Sequence, residues 1–172
     1  MNKKDIYNDM CEQSRFESFF NKHSEHLHNF LYYKFGDRLD PQDKTQEAFV
    51  RLWENCKNIK PEKAKSYLFS IANNLMLNEV AHQKVVLKYT KIDKKNYSNE
   101  SPEFLMEEDE YREKLQKAIA SLTEPQRVAF LMNRTEGKRF KEIAETLGIS
   151  TKAVEKRIYG AVKRLKKQID GF

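Results

Sequence analysis

The sequence predicts an all-α protein of two small helical domains joined by a flexible acidic linker, and three observations carry that prediction. Apolar residues recur at three- and four-residue steps almost continuously, and strand signals are scarce. The periodicity lapses in one polar stretch, "KYTKIDKKNYSNESPEFLMEEDE", rich in Lys, Asn, Ser and Glu. The 172 residues therefore divide into a first domain at 1–87, a linker at 88–110 and a second domain at 111–172.

In the first domain, Phe16, Phe19, Phe20, Leu27, Phe30 and Leu31 mark one helix that ends near Gly36. Asp40-Pro41 is a start signal, with Asp40 as N-cap and Pro41 at the first helical position. The stripe of that second helix runs through Ala48, Phe49, Leu52, Trp53 and Cys56. The segment "NCKNIKPEKAKS" breaks the pattern at Pro61, and a third helix is expected from near Ser66. Its core stripe is Leu68, Ile71, Ala72 and Leu75, with Met76 and Val80 alongside.

In the second domain, a helix over Tyr111–Ala120 is interrupted by "SLT". "TEPQ" then reads as a capping box, Thr123 accepting from the first turn and Gln126 reaching back. That helix stops at Gly137, a position suited to a left-handed cap. Phe140, Ile143, Ala144 and Leu147 form the apolar face of a short helix, and Gly148 supplies the positive φ of a sharp turn. Ser150 caps the next helix, whose inward stripe is Val154, Ile158, Ala161 and Leu165. This is a helix-turn-helix pattern over its full length.

The net charge of +6 is unevenly placed. Residues 150–168 hold seven Lys/Arg against one Glu, and residues 55–95 hold nine Lys against three acidic residues. Between them, residues 100–113 hold seven acidic residues and one Arg. Two basic blocks around an acidic spacer suit two surfaces for a polyanion. On the last helix, Lys152, Glu155, Lys156, Tyr159 and Lys163 point outward, flanked by Arg157 and Arg164. Such side chains read base edges, press on a thymine methyl or hold phosphates.

Other chemistries find little support. Neither a glycine-rich phosphate loop, nor G-x-S-x-G, nor H-E-x-x-H is present, so no catalytic function, cofactor or small-molecule substrate is expected. Cys11 and Cys56 form no C-x-x-C pair, which argues against a zinc ribbon or a thioredoxin-type site. His23, His26 and His28 would not converge on one point of a helix, so no metal is expected there. With neither a secretion signal nor an apolar run of spanning length, a cytoplasmic protein is the default.

The segment "DPQDKTQEAFVRLWENCKNIKPEKAKSYLFSIANNLMLNEVAHQK" resembles the promoter-melting domain of bacterial sigma factors. "LTEPQRVAFLMNRTEGKRFKEIAETLGISTKAVEKRIYGAVKRLK" is similar to that family's promoter-upstream domain. Two domains in this order resemble an extracytoplasmic-function sigma factor, over roughly Phe16–Leu165. The resemblance implies that the protein binds core RNA polymerase and recognises the minus-ten and minus-thirty-five elements of promoter DNA. It implies an anti-sigma partner as well, membrane-anchored.

Residue by residue, the resemblance implies that Asp43, Gln46, Glu47 and Arg51 meet the polymerase clamp. Lys63, Tyr67, Ser70, Asn73, Asn74, Asn78 and His82 would face the minus-ten element, with Asn73 the member best suited to a structural role. Lys57, Lys60, Lys63 and Lys65 supply positive charge to the loop 55–65, which resembles the element that captures a flipped base. Lys152, Glu155, Lys156, Arg157, Tyr159, Lys163 and Arg164 would face the minus-thirty-five element. The acidic linker either threads the RNA-exit path or serves as a tether that avoids DNA. Two other readings are a dimeric helix-turn-helix regulator and a sigma mimic that binds an anti-sigma factor; the basic last helix argues against the mimic.

Overall fold

A computed structural model describes residues 10–89 and 103–169, without the side chains of Arg38 and of residues 83–89 and 103–110. The described residues form seven α-helices and no strand. They fall into two compact units that divide after Tyr89.

In the first unit, α1 (Gln13–Phe35) ends at Gly36, whose φ of 79° is one that glycine adopts without steric cost. A 3-10 turn, Asp37–Leu39, leads to α2 (Pro41–Glu54). Asp40 caps α2 as expected, its carboxylate accepting from the Asp43 N–H at 3.1 Å. A second 3-10 turn, Cys56–Asn58, leads to α3 (Pro61–Tyr89). Leu27, Leu31, Ala48, Leu52, Leu68, Ala72 and Met76 are fully enclosed at the centre of this three-helix packing.

Three expectations for this unit change. α3 starts at Pro61 instead of near Ser66, because proline's fixed φ suits the first helical position and its missing N–H costs nothing there. Lys63 and Lys65 therefore sit on a helix, not in a loop. Trp53, expected on the buried stripe, is 41% exposed, with the Phe16 ring edge-on at 4.8 Å. One covalent feature answers to no expectation: Cys11 and Cys56 are joined in a disulfide, with Cα atoms 5.1 Å apart. Their separation of 45 residues gave no spacing signal from which to read it.

The second unit contains α4 (Glu103–Ser121), α5 (Glu124–Arg134), α6 (Phe140–Leu147) and α7 (Thr151–Leu165). α4 begins well before Tyr111 and takes up the end of the stretch read as linker; residues 90–102 lie outside the described ones. Ala118 and Leu122 at the end of α4 pack with Phe130, Ala161, Leu165 and Ile169. The turn is built as the sequence implied. Gly148 has φ 65°, Ser150 Oγ accepts from the Ala153 N–H at 3.2 Å, and Val154, Ile158, Ala161 and Leu165 are buried.

The box expected at Thr123 does not form. Thr123 Oγ1 donates to Gln126 Oε1 at 3.0 Å, so the two side chains satisfy each other instead of the backbone. Pro125 offers no N–H to cap, and the Gln126 amide lies over Gly160 of α7, where an added Cβ would come within 2.7 Å of Nε2. Gly160 therefore faces a neighbouring helix. At α6 it is Glu142 that reaches back, accepting from the Arg139 N–H at 2.7 Å. The turn before α6 is held by a largely buried ion pair, Lys138 Nζ to Glu136 Oε2 at 2.5 Å.

Candidate nucleic-acid and partner interfaces

α7 has two faces. The enclosed stripe fixes its roll, and Lys152, Glu155, Lys156, Tyr159 and Lys163 emerge on the opposite side, all exposed, with Tyr159 at 61%. Arg164 is exposed on one flank, and Arg157 is half-buried beside it. A capped, basic, solvent-facing helix held by a glycine turn has the form needed to enter a major groove. The expected residues of this set thus come together on one helix, with the two arginines to the side.

α3 repeats the division. Lys63, Tyr67, Ser70, Asn74 and Asn78 follow three- and four-residue steps along one exposed face, opposite Leu68, Ala72 and Leu75. His82 is exposed but has drifted toward the flank. Ser70 Oγ donates back to the Ser66 carbonyl at 2.8 Å, and Ser66 Oγ donates to the Lys63 carbonyl at 3.0 Å. Asn73 stands apart from the row. It is half-buried and its Oδ1 accepts from Lys34 Nζ of α1 at 2.8 Å.

On α2, Asp43, Gln46 and Arg51 are exposed and Glu47 is half-buried. Glu47 bridges two cations, accepting from Arg51 at 2.6 Å and from Lys44 at 3.3 Å, while Lys44 also reaches Asp43 at 3.2 Å. The hydrogen bond to Asp43 leads the effects that hold the Lys44 ammonium above its ordinary pKa. Beside this ionic row lies an apolar groove that sequence reasoning missed. Phe16 and Phe20 of α1 line it with Gln46, Phe49, Val50 and Trp53 of α2. Phe20 packs on Phe49 at 4.7 Å between ring centroids, and Val50 is 56% exposed. The available signal was Val50, an apolar residue off the buried stripe of its helix.

The three histidines are dispersed among neighbours: His23 lies against the Phe19 ring at 4.5 Å, and His28 runs nearly parallel to Tyr32. Among the described residues no group of His, Cys, Asp and Glu is placed to hold a metal ion. No described helix is long and apolar enough to cross a membrane.

Comparison with known proteins follows the division into two units. Residues 19–85 match the family described as Sigma-70 region 2, and residues 112–165 match Sigma-70, region 4. The ECF RNA polymerase sigma factor SigE of Mycolicibacterium smegmatis is 25% identical over 165 residues, which are 94% of this chain and 64% of that relative's length. The ferric citrate uptake sigma factor FecI of Escherichia coli is 27% identical over 86% of this chain and 87% of its own. In the solved structure of CnrH in complex with the cytosolic domain of CnrY, the matching chain has the same fold, with a TM-score of 0.57 at 20% identity over 91% of this chain and 88% of that one.

Proposed function

Because this chain belongs to the extracytoplasmic-function group of the sigma-70 family, we propose that it binds core RNA polymerase and directs initiation at promoters with its own minus-ten and minus-thirty-five sequences. The observation that carries the reading is the paired architecture. α3 and α7, in separate units, each bury one stripe and turn a row of base- and phosphate-competent side chains to solvent.

α7 reads the upstream element in duplex form. Lys152, Glu155, Lys156 and Tyr159 address base edges, and Lys163, Arg157 and Arg164 hold phosphates. α3 grips the downstream element once its strands part. Tyr67 stacks on an unpaired base, Asn74 and Asn78 pair with base edges, and Lys63 follows the backbone. No cofactor or bond-breaking step is required, because capture of unstacked bases shifts the equilibrium toward open duplex. Asp43, Gln46, Glu47 and Arg51, beside the apolar groove, meet the polymerase clamp: an apolar floor with an ionic rim has the composition of a protein interface. The protein acts in the cytoplasm, where core polymerase is, and an anti-sigma partner covers the same surfaces when initiation is not needed.

The test adds the purified chain to core polymerase on a promoter library. Specific initiation that requires both units supports the reading. Binding to symmetric sites without polymerase would replace it with a dimeric regulator.

A further inference from the structure

α1 and α2 form an antiparallel hairpin whose closed end is the turn from Gly36 to Asp40. Its open end is where Cys11, just ahead of α1, meets Cys56, just after α2. The disulfide therefore shuts the hairpin at the base of the segment that leads into α3. Cys56 is 7% exposed and Met10, next to Cys11, is 1% exposed, so the junction is packed as well as bonded. Met10 also joins Pro61 and Lys65, at the start of α3, in lining a polar cleft that includes Arg15 and Lys22. Met10 and Glu12 thus meet the first turns of α3 on the side of Pro61 and Lys65, away from the exposed row of Lys63, Tyr67 and Ser70. The link from the disulfide to that row runs along the chain, through the turn 56–58.

We propose that Cys11 and Cys56 are an oxidant-set staple. Closed, it holds residues 10–12 and the turn 56–58 together and fixes the approach to α3; opened, it loosens that approach and weakens the grip on single-stranded DNA. The functional half of this proposal rests on the minus-ten reading above. The native fold brings the two Cα atoms within bonding range, so no backbone travel is needed. A cytoplasm keeps thiols reduced by default, which makes closure depend on an oxidant. With a peroxide, one thiolate attacks the O–O bond to give a sulfenic acid and releases water. The second thiolate then displaces the sulfenic oxygen, which leaves as a second water. Two thiols and one peroxide thus become one disulfide and two waters, and a small dithiol reverses the change.

The experiment uses the full chain, fully reduced or treated with hydrogen peroxide. Thiol titration and a non-reducing gel follow closure, and a fluorescent random-sequence single-stranded oligonucleotide reports DNA binding. Expected are loss of both thiols within a monomer, a Tm higher by about 10 °C in the closed form and binding tighter by about threefold. Cys11→Ser, which lies ahead of α1 and leaves Cys56 without a partner thiol, should show no peroxide-dependent shift in Tm or binding. Two titratable thiols after peroxide, a linkage between chains, or equal Tm and binding in both forms would overturn the proposal. Should neither form bind single-stranded DNA, the minus-ten reading fails, and the thiol count and melting shift alone decide on the staple.

Discussion

Lys34 Nζ donates a 2.8 Å hydrogen bond to Asn73 Oδ1, tying α1 to the flank of α3. The same ammonium lies 5.8 Å from the centroid of the Phe30 ring and 5.4 Å from that of Phe35. One asparagine of three on α3 is thereby held by the fold, while Asn74 and Asn78 remain on the outer face.

Asn73→Ala is expected to destabilise the first unit by about 1.5 kcal/mol, the scale of a hydrogen bond to a charged group. Asn74→Ala and Asn78→Ala should leave the melting temperature nearly unchanged and lower open-complex formation. Thermal melts beside permanganate footprinting of the melted strand separate the two behaviours. Equal stability losses at all three positions would contradict the assignment.

Val50→Asp places a charge on the floor of the groove between α1 and α2, at a site already 56% exposed. Folding should shift by less than about 1 kcal/mol, while affinity for core polymerase falls by tenfold or more. Arg51→Ala is a sharper control. Its pair with Glu47 is an exposed i,i+4 contact contributing about 0.3–0.5 kcal/mol to stability, so a larger loss in polymerase binding reports on the interface. Titration of labelled core enzyme measures both.

At Gly160, helix propensity competes with packing. An alanine Cβ would come within 2.7 Å of Gln126 Nε2, but that atom ends a flexible side chain. The propensity gain of about 1 kcal/mol exceeds the cost of swinging the amide away. Gly160→Ala should therefore raise stability slightly, and Gly160→Leu, which fills the space between α5 and α7, should lower it. Denaturant midpoints decide; a destabilised Gly160→Ala would mean that Gln126 is less mobile than its geometry suggests.

Removing Lys152, Lys156 or Lys163 by alanine substitution should weaken upstream-element binding. Where the lysine neutralises a phosphate, the slope of log K against log salt should fall in magnitude by about 0.9. A lysine that reads a base edge would instead relax sequence preference at one position, and Tyr159→Ala should do the same at a thymine. Salt titrations on the duplex element distinguish the two outcomes for each residue.

The helix-turn-helix was legible down to single residues, because Gly148, Ser150 and the stripe from Val154 to Leu165 are local signals. A positive φ, a side-chain cap and a helical period each act within a few residues, and the roll of α7 follows from them. Much of α3 is legible for the same reason, although a proline marks a turn as readily as a first helical residue, and the helix starts at Pro61, five residues ahead of Ser66.

What only tertiary structure decided are relations between distant residues. Lys34 with Asn73, Gln126 under Gly160, Cys11 with Cys56, and Phe16 against Trp53 join helices whose side chains carry no mark of their partners. Period and capping determine which face of a helix is buried. Which neighbour lies on that face, and which residues at its edge are held or left to solvent, depends on the packing of several helices at once.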